Sequence, residues 1–373
     1  MENLSGILTL QEIKEIKVSA PKLAEKIQNK ANRVIRLDEK IQAKEFSRMV
    51  ADPNSRAVFM TLVDQVFRLS KDTDILKKFI SILSQHGVPS FFGSIEKVAL
   101  KALNIFGPLT PGFLSSPIVW SILTVMRFKT RNVILPSEQE KIKRYFLNCK
   151  KENLKININH LGDMVLGEKE EQKHLENYIE QLQNPHVFCI SVKISTLYSQ
   201  VDVIASEHTV SMVTERLATL LFAAKKEEES SGVKKLIYLD MEEYSDLPLT
   251  VEIFKRFLQN PNFNHFSLGI ALQAYIPDSY IYQHKLTNLA IARLSKGGVP
   301  IRIRIVKGAN MEMEKCIASL NGWEQAPYTT KLETDTNFKR MTAYAFQAEN
   351  LKAVKIGIGS HNIFEIAFSK TLQ

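Results

Sequence analysis

The sequence predicts an α/β protein in which a β/α barrel follows a helical N-terminal region. Residues 7–150 read as helices punctuated by glycine and proline, whereas from about residue 153 short apolar runs alternate with helical segments. Runs that are apolar almost throughout are typical of parallel strands covered on both faces, and the helices between them supply the crossovers. We therefore predict a helical arm and α-domain over residues 1–150 and a barrel domain over residues 151–373.

The helical region begins with a capping box and carries the basic excess of the chain. Thr9-Leu10-Gln11-Glu12 precedes a long amphipathic pattern, as at a helix N-terminus. Residues 1–150 contain 24 Lys and Arg against 14 Asp and Glu, while residues 151–373 contain 25 against 26. Such an excess fits an anionic partner or solvated helical faces. Because no compact DNA-binding motif precedes the long helix, we expect no nucleic-acid partner.

Cysteine usage and hydropathy predict a cytoplasmic protein. The three cysteines form no CxxC pair, and no histidines cluster at metal-ligand spacing, so we expect neither disulfides nor a metal site. The first residues lack a secretory signal pattern, and the longest apolar run, residues 113–125, is too short to span a bilayer. The protein is expected to be soluble, or attached at most to a membrane surface.

Six apolar runs after residue 153 are the predicted strands. They are residues 156–160, 187–194, 236–240, 268–274, 301–306 and 354–358, with helices between them such as 170–182, 209–226 and 249–258. A barrel needs eight strands, so about six of the eight are present. Both a doubly wound open sheet and a β/α barrel fit this alternation.

The polar residues favour the barrel. A barrel enzyme distributes its chemistry over the C-terminal ends of several strands, whereas an open sheet concentrates it at one switch point. The residues at or just beyond predicted strand ends are Asp163, Glu168, Lys193, Asp240, Gln273, Lys307 and His361.

The run at residues 301–306 has the most informative pattern. It alternates so that Arg302, Arg304 and Val306 share one face of the strand and the isoleucines share the other. Arginines that point into a barrel need an anion, a carbonyl or water, because an unpaired buried guanidinium is costly. Gly308 and Ala309 follow Lys307 and permit close approach of a ligand to the backbone. A structural ion pair beside a tight turn and a ligand-binding turn both remain open.

Other residues at the predicted strand ends also fit either a role in a site or a structural role. The acidic residues 240–243 fit a base, a partner for inward arginines or a solvated cluster. Lys193 fits a carboxylate ligand or an ion pair, and Gln273 fits a heterocycle or a core amide. His361 fits a phosphate or ribose contact or a structural role. No GxGxxG loop, Walker A loop, HExxH helix or GxSxG elbow is present, which excludes the common nucleotide-binding and hydrolase motifs.

Seven ordered motifs together resemble the proline dehydrogenase domain of bifunctional proline-utilisation proteins. They lie at residues 161–168, 190–195, 239–244, 269–275, 304–310, 330–335 and 360–362, and the resemblance spans about residues 30–370. It implies a distorted β/α barrel that binds FAD without covalent attachment. It also implies oxidation of L-proline to Δ1-pyrroline-5-carboxylate and electron transfer to a membrane quinone.

The resemblance assigns roles to individual residues. It implies that Arg304 lies at the flavin N5 edge, that Lys193 binds the carboxylate of proline, and that Asp240 orients the active site. Asp163, where many relatives carry Glu, corresponds to an ion-pair gate over the substrate. The implied cofactor-binding residues are Met241, Gln273, Arg304, Val306, Lys307, Gly308, Ala309, Ser360 and His361.

The resemblance also implies partners that this sequence does not contain. Relatives continue past the position of Gln373 through two strands and a helix with an Arg-Arg pair that clamps proline, followed by a semialdehyde dehydrogenase domain. The barrel is therefore expected to be incomplete at its C-terminus. A homo-oligomer formed through the helical arm and contact with the inner face of the membrane are further expectations. The alternative is an inactive remnant or split-gene half that serves as an oligomerisation or scaffold module.

Overall fold

The computed structural model describes residues 7–66, 69, 71–130, 139–159 and 165–373. The chain divides into two compact units, one of residues 1–29 with 143–373 and one of residues 30–142. The first residues thus group with the sheet by spatial contact. The domain boundary near residue 150 stays a prediction.

Six parallel strands form the sheet of the first unit. They are β1 (Asn157–Asn159), β2 (Cys189–Lys193), β3 (Leu236–Asp240), β4 (Leu268–Gln273), β5 (Ile301–Val306) and β6 (Val354–Gly359). Each strand pairs with the next one in the chain, in the order β1 to β6 without reversal. A doubly wound sheet would reverse its order at a switch point, so this continuous winding confirms the β/α-barrel fold class. Within the described residues, β1 and β6 each have a single neighbouring strand.

Helices connect the strands and cover one face of the sheet. Those of this unit are α8 (Glu168–Gln183), α9 (Ile194–Leu197), α10 (Ser206–Ser231), α11 (Asp246–Gln259), α12 (Asp278–Ser295), α13 (Met311–Asn321), α14 (Lys331–Ala345), α15 (Ala348–Ala353) and α16 (Ile363–Thr371). On β5 the isoleucines are fully buried, whereas Arg302, Arg304 and Val306 are partly exposed on the opposite, concave face. The period-two pattern therefore places the charged face of β5 as the sequence predicts.

The helix α1 (Leu10–Val34) begins at the predicted capping box. The Thr9 hydroxyl accepts a hydrogen bond from the Glu12 amide at 3.2 Å, and the Glu12 carboxylate accepts one from the Thr9 amide at 2.7 Å. Ile13, Ile16 and Ala20 on this helix form an apolar cluster with Ala343 and Phe368. This cluster attaches the N-terminal part of the chain to the helices beside β6.

The second unit is helical and has its own core. Its helices are α2 (Leu37–Ala51), α3 (Pro53–Thr61), α4 (Asp72–His86), α5 (Ser94–Phe106) and α6 (Ser115–Thr130), while α7 (Gln139–Lys151) leads back to the sheet. Leu83, Phe79 and Val58 are among the most buried residues of this core. None of the helices in the described ranges is both long enough and apolar enough to span a bilayer.

Candidate active site

A cavity of about 550 Å³ opens at the C-terminal ends of β3 to β6. It is lined by Asp240, Met241, Ala271, Gln273, Arg304, Val306, Lys307, Gly308, Ala309, Lys331, Gly359, Ser360, His361 and Asn362. The fold therefore brings all nine predicted cofactor-binding residues and Asp240 to one concave surface. Lys193 lies outside this lining, and Asp163 lies outside the described residues.

Arg304 forms the charged wall of the cavity. Its Nη2 donates to the Asp240 carboxylate, and its guanidinium lies 5.0 Å from the centre of the Tyr238 ring. A second guanidinium nitrogen, Nη1, lies 3.4 Å from the Ser191 hydroxyl. The remaining Nε is buried and has no hydrogen-bond partner among the described residues. Arg304 is thus both a structural ion-pair partner and a lining residue of the cavity, and its role in ligand binding stays a prediction.

Asp240 ends β3 and is almost completely buried. Its Oδ2 accepts a hydrogen bond from Asn159 Nδ2 at 3.1 Å, and its Oδ1 accepts the one from Arg304. Burial raises the pKa of the Asp240 carboxyl, and the charge of Arg304 opposes that shift. Burial and the neighbouring arginine thus act on this carboxyl in opposite directions, and burial is the larger effect.

Lys193 ends β2 directly opposite Asp240 in the register of the two strands. Its Nζ pairs with Glu242 Oε1 at 2.5 Å, and the other carboxylate oxygen of Glu242 lies 3.4 Å from the Ser195 hydroxyl. Any substrate carboxylate that binds this ammonium must share it with Glu242. The sequence marks residues 240–243 as acidic, but it does not indicate which carboxylate meets which cation.

The Gln273 amide nitrogen donates to two backbone carbonyls, of Met241 and Glu242, and the amide oxygen has no partner among the described residues. Gln273 Nε2 donates to the Met241 carbonyl at 2.7 Å, which fixes the direction of the amide. Its Oε1 is buried and accepts no hydrogen bond from any described residue. An orphaned acceptor in a cavity wall is costly unless a ligand donates to it. Gln273 therefore presents one acceptor to the cavity.

The turn after β5 approaches the cavity through its backbone. Gly308 has φ +131°, a region that favours glycine, and a Cβ at this position would lie 2.5 Å from the Tyr275 ring. The Tyr275 amide donates to the Lys307 carbonyl at 2.8 Å and holds the turn against β4. Tyr275 is a functional candidate that residue patterns did not single out, although it closes the motif at 269–275.

Ser360 and His361 lie between β6 and α16. The Ser360 hydroxyl accepts from the Asn362 amide at 3.1 Å, and the Asn362 side chain caps α16 by accepting from Phe364 at 2.9 Å. The cap fixes the path of the backbone between strand and helix. Ser360 and His361, both predicted to bind the cofactor, line the same cavity as the turn after β5.

Comparison with known proteins gives consistent matches. Residues 143–373 match the family model described as proline dehydrogenase. A proline utilization A structure from Corynebacterium freiburgense is 36% identical, covers 66% of this chain and 25% of that chain, and has a TM-score of 0.62. Another from Bdellovibrio bacteriovorus, inactivated by N-propargylglycine, is 22% identical, covers 96% and 35%, and has a TM-score of 0.71.

These matches differ in what they show. The Bdellovibrio likeness extends over nearly the whole chain but supports the fold alone, because its sequence identity is low. The chain spans about a quarter to a third of the length of these two proteins. A search of curated protein sequences found no match.

Proposed function

Because this chain belongs to the proline dehydrogenase family, we propose that it oxidises L-proline to Δ1-pyrroline-5-carboxylate with bound FAD as the hydride acceptor. The C5 hydrogen of proline leaves as hydride and the amine loses a proton, which creates the C=N bond. The observation that carries the proposal is the single cavity shared by Asp240, Gln273, Arg304 and the two loops after β5 and β6.

The chemistry of the cavity walls fits FAD. Gln273 Oε1 and Arg304 Nε are buried polar atoms without partners among the described residues. A ligand that carries both a hydrogen-bond donor and an acceptor would satisfy them. Gly308 and Ala309 leave the backbone accessible to a flat ring. Ser360 and His361 would hold the adenosine side. When bound, FAD supplies the two-electron acceptor that no side chain provides.

The chain's own residues bind, orient and stabilise charge in this proposal. With FAD bound, the Arg304 guanidinium would stabilise negative charge on the cofactor ring. Asp240 holds Arg304 through their ion pair, and Met241 and Val306 shape the wall beside it. Lys193 would bind the proline carboxylate while sharing its charge with Glu242. Positioning of proline against the ring is then the main catalytic task.

In the described part of the chain, the two outer strands of the sheet have open edges. β1 and β6 each lack a second neighbour within the described residues, and parallel strands of a barrel are paired on both sides. We propose that two additional strands cover these edges and contribute cations for the proline carboxylate, with Asp163 as part of a gate. A semialdehyde dehydrogenase domain, a membrane quinone acceptor, cytoplasmic location at the membrane surface and oligomerisation through the helical arm complete the proposal.

The open sheet edges also favour a second candidate, a non-catalytic oligomerisation or scaffold module. A direct test separates the two. Purified protein is mixed with FAD, and flavin absorbance is followed anaerobically after addition of L-proline. Bleaching in the wild-type protein, together with its loss in Gln273→Leu and its retention in the exposed control Lys352→Met, supports the enzyme. Failure to retain added FAD would leave only the scaffold.

A further inference from the structure

Lys307 is held by two carboxylates that come from different helices. Its Nζ pairs with Asp335 on α14, and it lies 3.2 Å from Glu365 Oε1 on α16. Lys331 binds the other oxygen of Asp335, and Lys339 binds Glu365 Oε1 at 3.0 Å. The five side chains form an alternating chain of charges, of which Lys307 and Lys331 line the cavity.

Glu365 is the most buried member of this chain of charges. Its side chain is 1% exposed, against 25% for Lys307 and 19% for Asp335. Burial of an isolated carboxylate is unfavourable in free energy, so a side chain this deeply buried requires a compensating positive charge. Lys307 and Lys339 supply it, and the first turn of α16 adds the favourable end of a helix dipole. Glu365 is therefore held between two ammonium groups.

Lys307 is correspondingly a fixed cation. Burial alone would lower the pKa of its ammonium, but the hydrogen bonds and charges of Asp335 and Glu365 outweigh burial and raise the pKa above its usual value. The ammonium also lies 5.6 Å from the centre of the Phe338 ring. Two carboxylates and an aromatic ring thus fix the position of the ammonium, and Gly308 is the next residue in the chain.

The ion pair between Lys307 and Glu365 joins the turn after β5 to the first turn of α16. Lys307 begins the turn after β5, and α16 follows directly from the loop after β6, which contains Ser360 and His361. We propose that Glu365 and Asp335 are positioning residues that, through Lys307, fix the turn after β5 relative to the loop that leads into α16 and so set the affinity for FAD. This inference rests on the proposed function.

A double-mutant cycle on the full chain tests the proposal. The FAD dissociation constant is measured by flavin fluorescence for wild type, Glu365→Gln, Lys307→Met and the double variant. Glu365→Gln keeps the shape of the side chain and removes its charge. We expect each single variant to weaken FAD about tenfold and the double variant to weaken it little further, because coupled residues are not additive. The flavin absorption spectrum should shift in the same variants.

The matched control is Glu349→Gln, which removes a carboxylate from an exposed pair with Lys352 on α15. Its FAD affinity should equal that of wild type. If Glu365→Gln does not fold, as judged by circular dichroism, Asp335→Asn at the more exposed partner decides in its place. An unchanged dissociation constant or additive effects would overturn the positioning role alone. Absence of FAD binding in the wild type would overturn the proposed function and this inference together.

Discussion

Buried cations occupy both ends of the sheet, but they have different partners at each end. At the C-terminal ends of the strands, Arg304, Lys307 and Lys193 all pair with carboxylates, and the first two face a cavity. At the N-terminal ends, Lys235 and Arg293 are more deeply buried and donate to backbone carbonyls. Among the described residues, neither of these two pairs with a carboxylate within 4.0 Å.

The cations at the N-terminal ends close loops. Lys235 Nζ donates to the carbonyls of Asn184 and Val187 at 2.8 and 2.9 Å, in the loop that enters β2. Arg293 Nη2 donates to the carbonyls of Phe263, Asn264 and Phe266 between 2.8 and 3.0 Å, in the loop that enters β4. Each of them adds a charged donor to carbonyls of a loop that leads into a strand.

The two kinds of partner indicate two roles for the cations: stabilising a loop, and presenting a positive charge to a ligand. A cation bonded to backbone carbonyls stabilises the loop it contacts. A cation paired with a carboxylate beside a cavity keeps a charge that a ligand can meet, and its partner sets its position. The first group should therefore govern unfolding, and the second should govern cofactor and substrate chemistry.

Arg304→Met should give the largest effect of the predictions that test this division. Loss of a preorganised charge beside the reacting group typically costs about 10²–10³-fold in rate. We expect a decrease of that size in the rate of flavin reduction by proline, measured by stopped-flow absorbance. The unfolding midpoint should change less than in variants of the N-terminal end, because Asp240, whose pKa is already raised, can take up a proton. A wild-type rate in this variant would contradict the assignment.

Arg293→Ala should be the largest stability effect. It removes donors from three carbonyls and leaves a cavity, so we expect a loss of about 2–3 kcal/mol in the free energy of unfolding. Denaturant unfolding measures this loss, and Arg293→Met separates the contribution of volume from that of the donors. The rate of flavin reduction per folded molecule should equal that of wild type. A lower rate of flavin reduction in Arg293→Ala, without a loss of stability, would contradict the separate roles assigned to the two ends of the sheet.

The sequence predicts the strands and their inward faces better than it predicts which charged side chains pair with each other. The ends of β3 and β5 coincide with the predicted runs, because a buried parallel strand leaves a continuous apolar signal and the alternation in 301–306 has a period of two. The pairing of Lys307 with Glu365 joins residues 58 positions apart. No local pattern encodes such a contact, since it depends on how α16 packs beside β5.

Gly308→Ala tests whether the turn at the C-terminal end depends on its backbone. An alanine would have an unfavourable φ and a Cβ within 2.5 Å of the Tyr275 ring, so we expect a loss of about 2 kcal/mol in stability and weaker FAD binding. The control is Gly232→Ala, which also has positive φ but no atom within 4 Å of the added Cβ. Equal effects in unfolding and FAD titration would exclude a role for Tyr275.

Lys235→Met should give the smallest effect and one that depends on pH. Burial lowers the pKa of Lys235 below its usual 10.5, so the unfolded chain binds the proton more tightly than the folded protein does. Stability contributed by this group therefore rises as pH increases from the folded pKa toward 10.5 and is constant above it. The methionine variant lacks this rise.

We expect Lys235→Met to cost about 1 kcal/mol at pH 7 through the lost hydrogen bonds, and to cost more at pH 10. Urea unfolding at both pH values measures the difference, with the exposed Lys352→Met as the control that shows no such change. A cost that falls with increasing pH would mean that the ammonium is stabilised by charge rather than by carbonyls. The cations at both ends of the sheet would then be stabilised by negative charge.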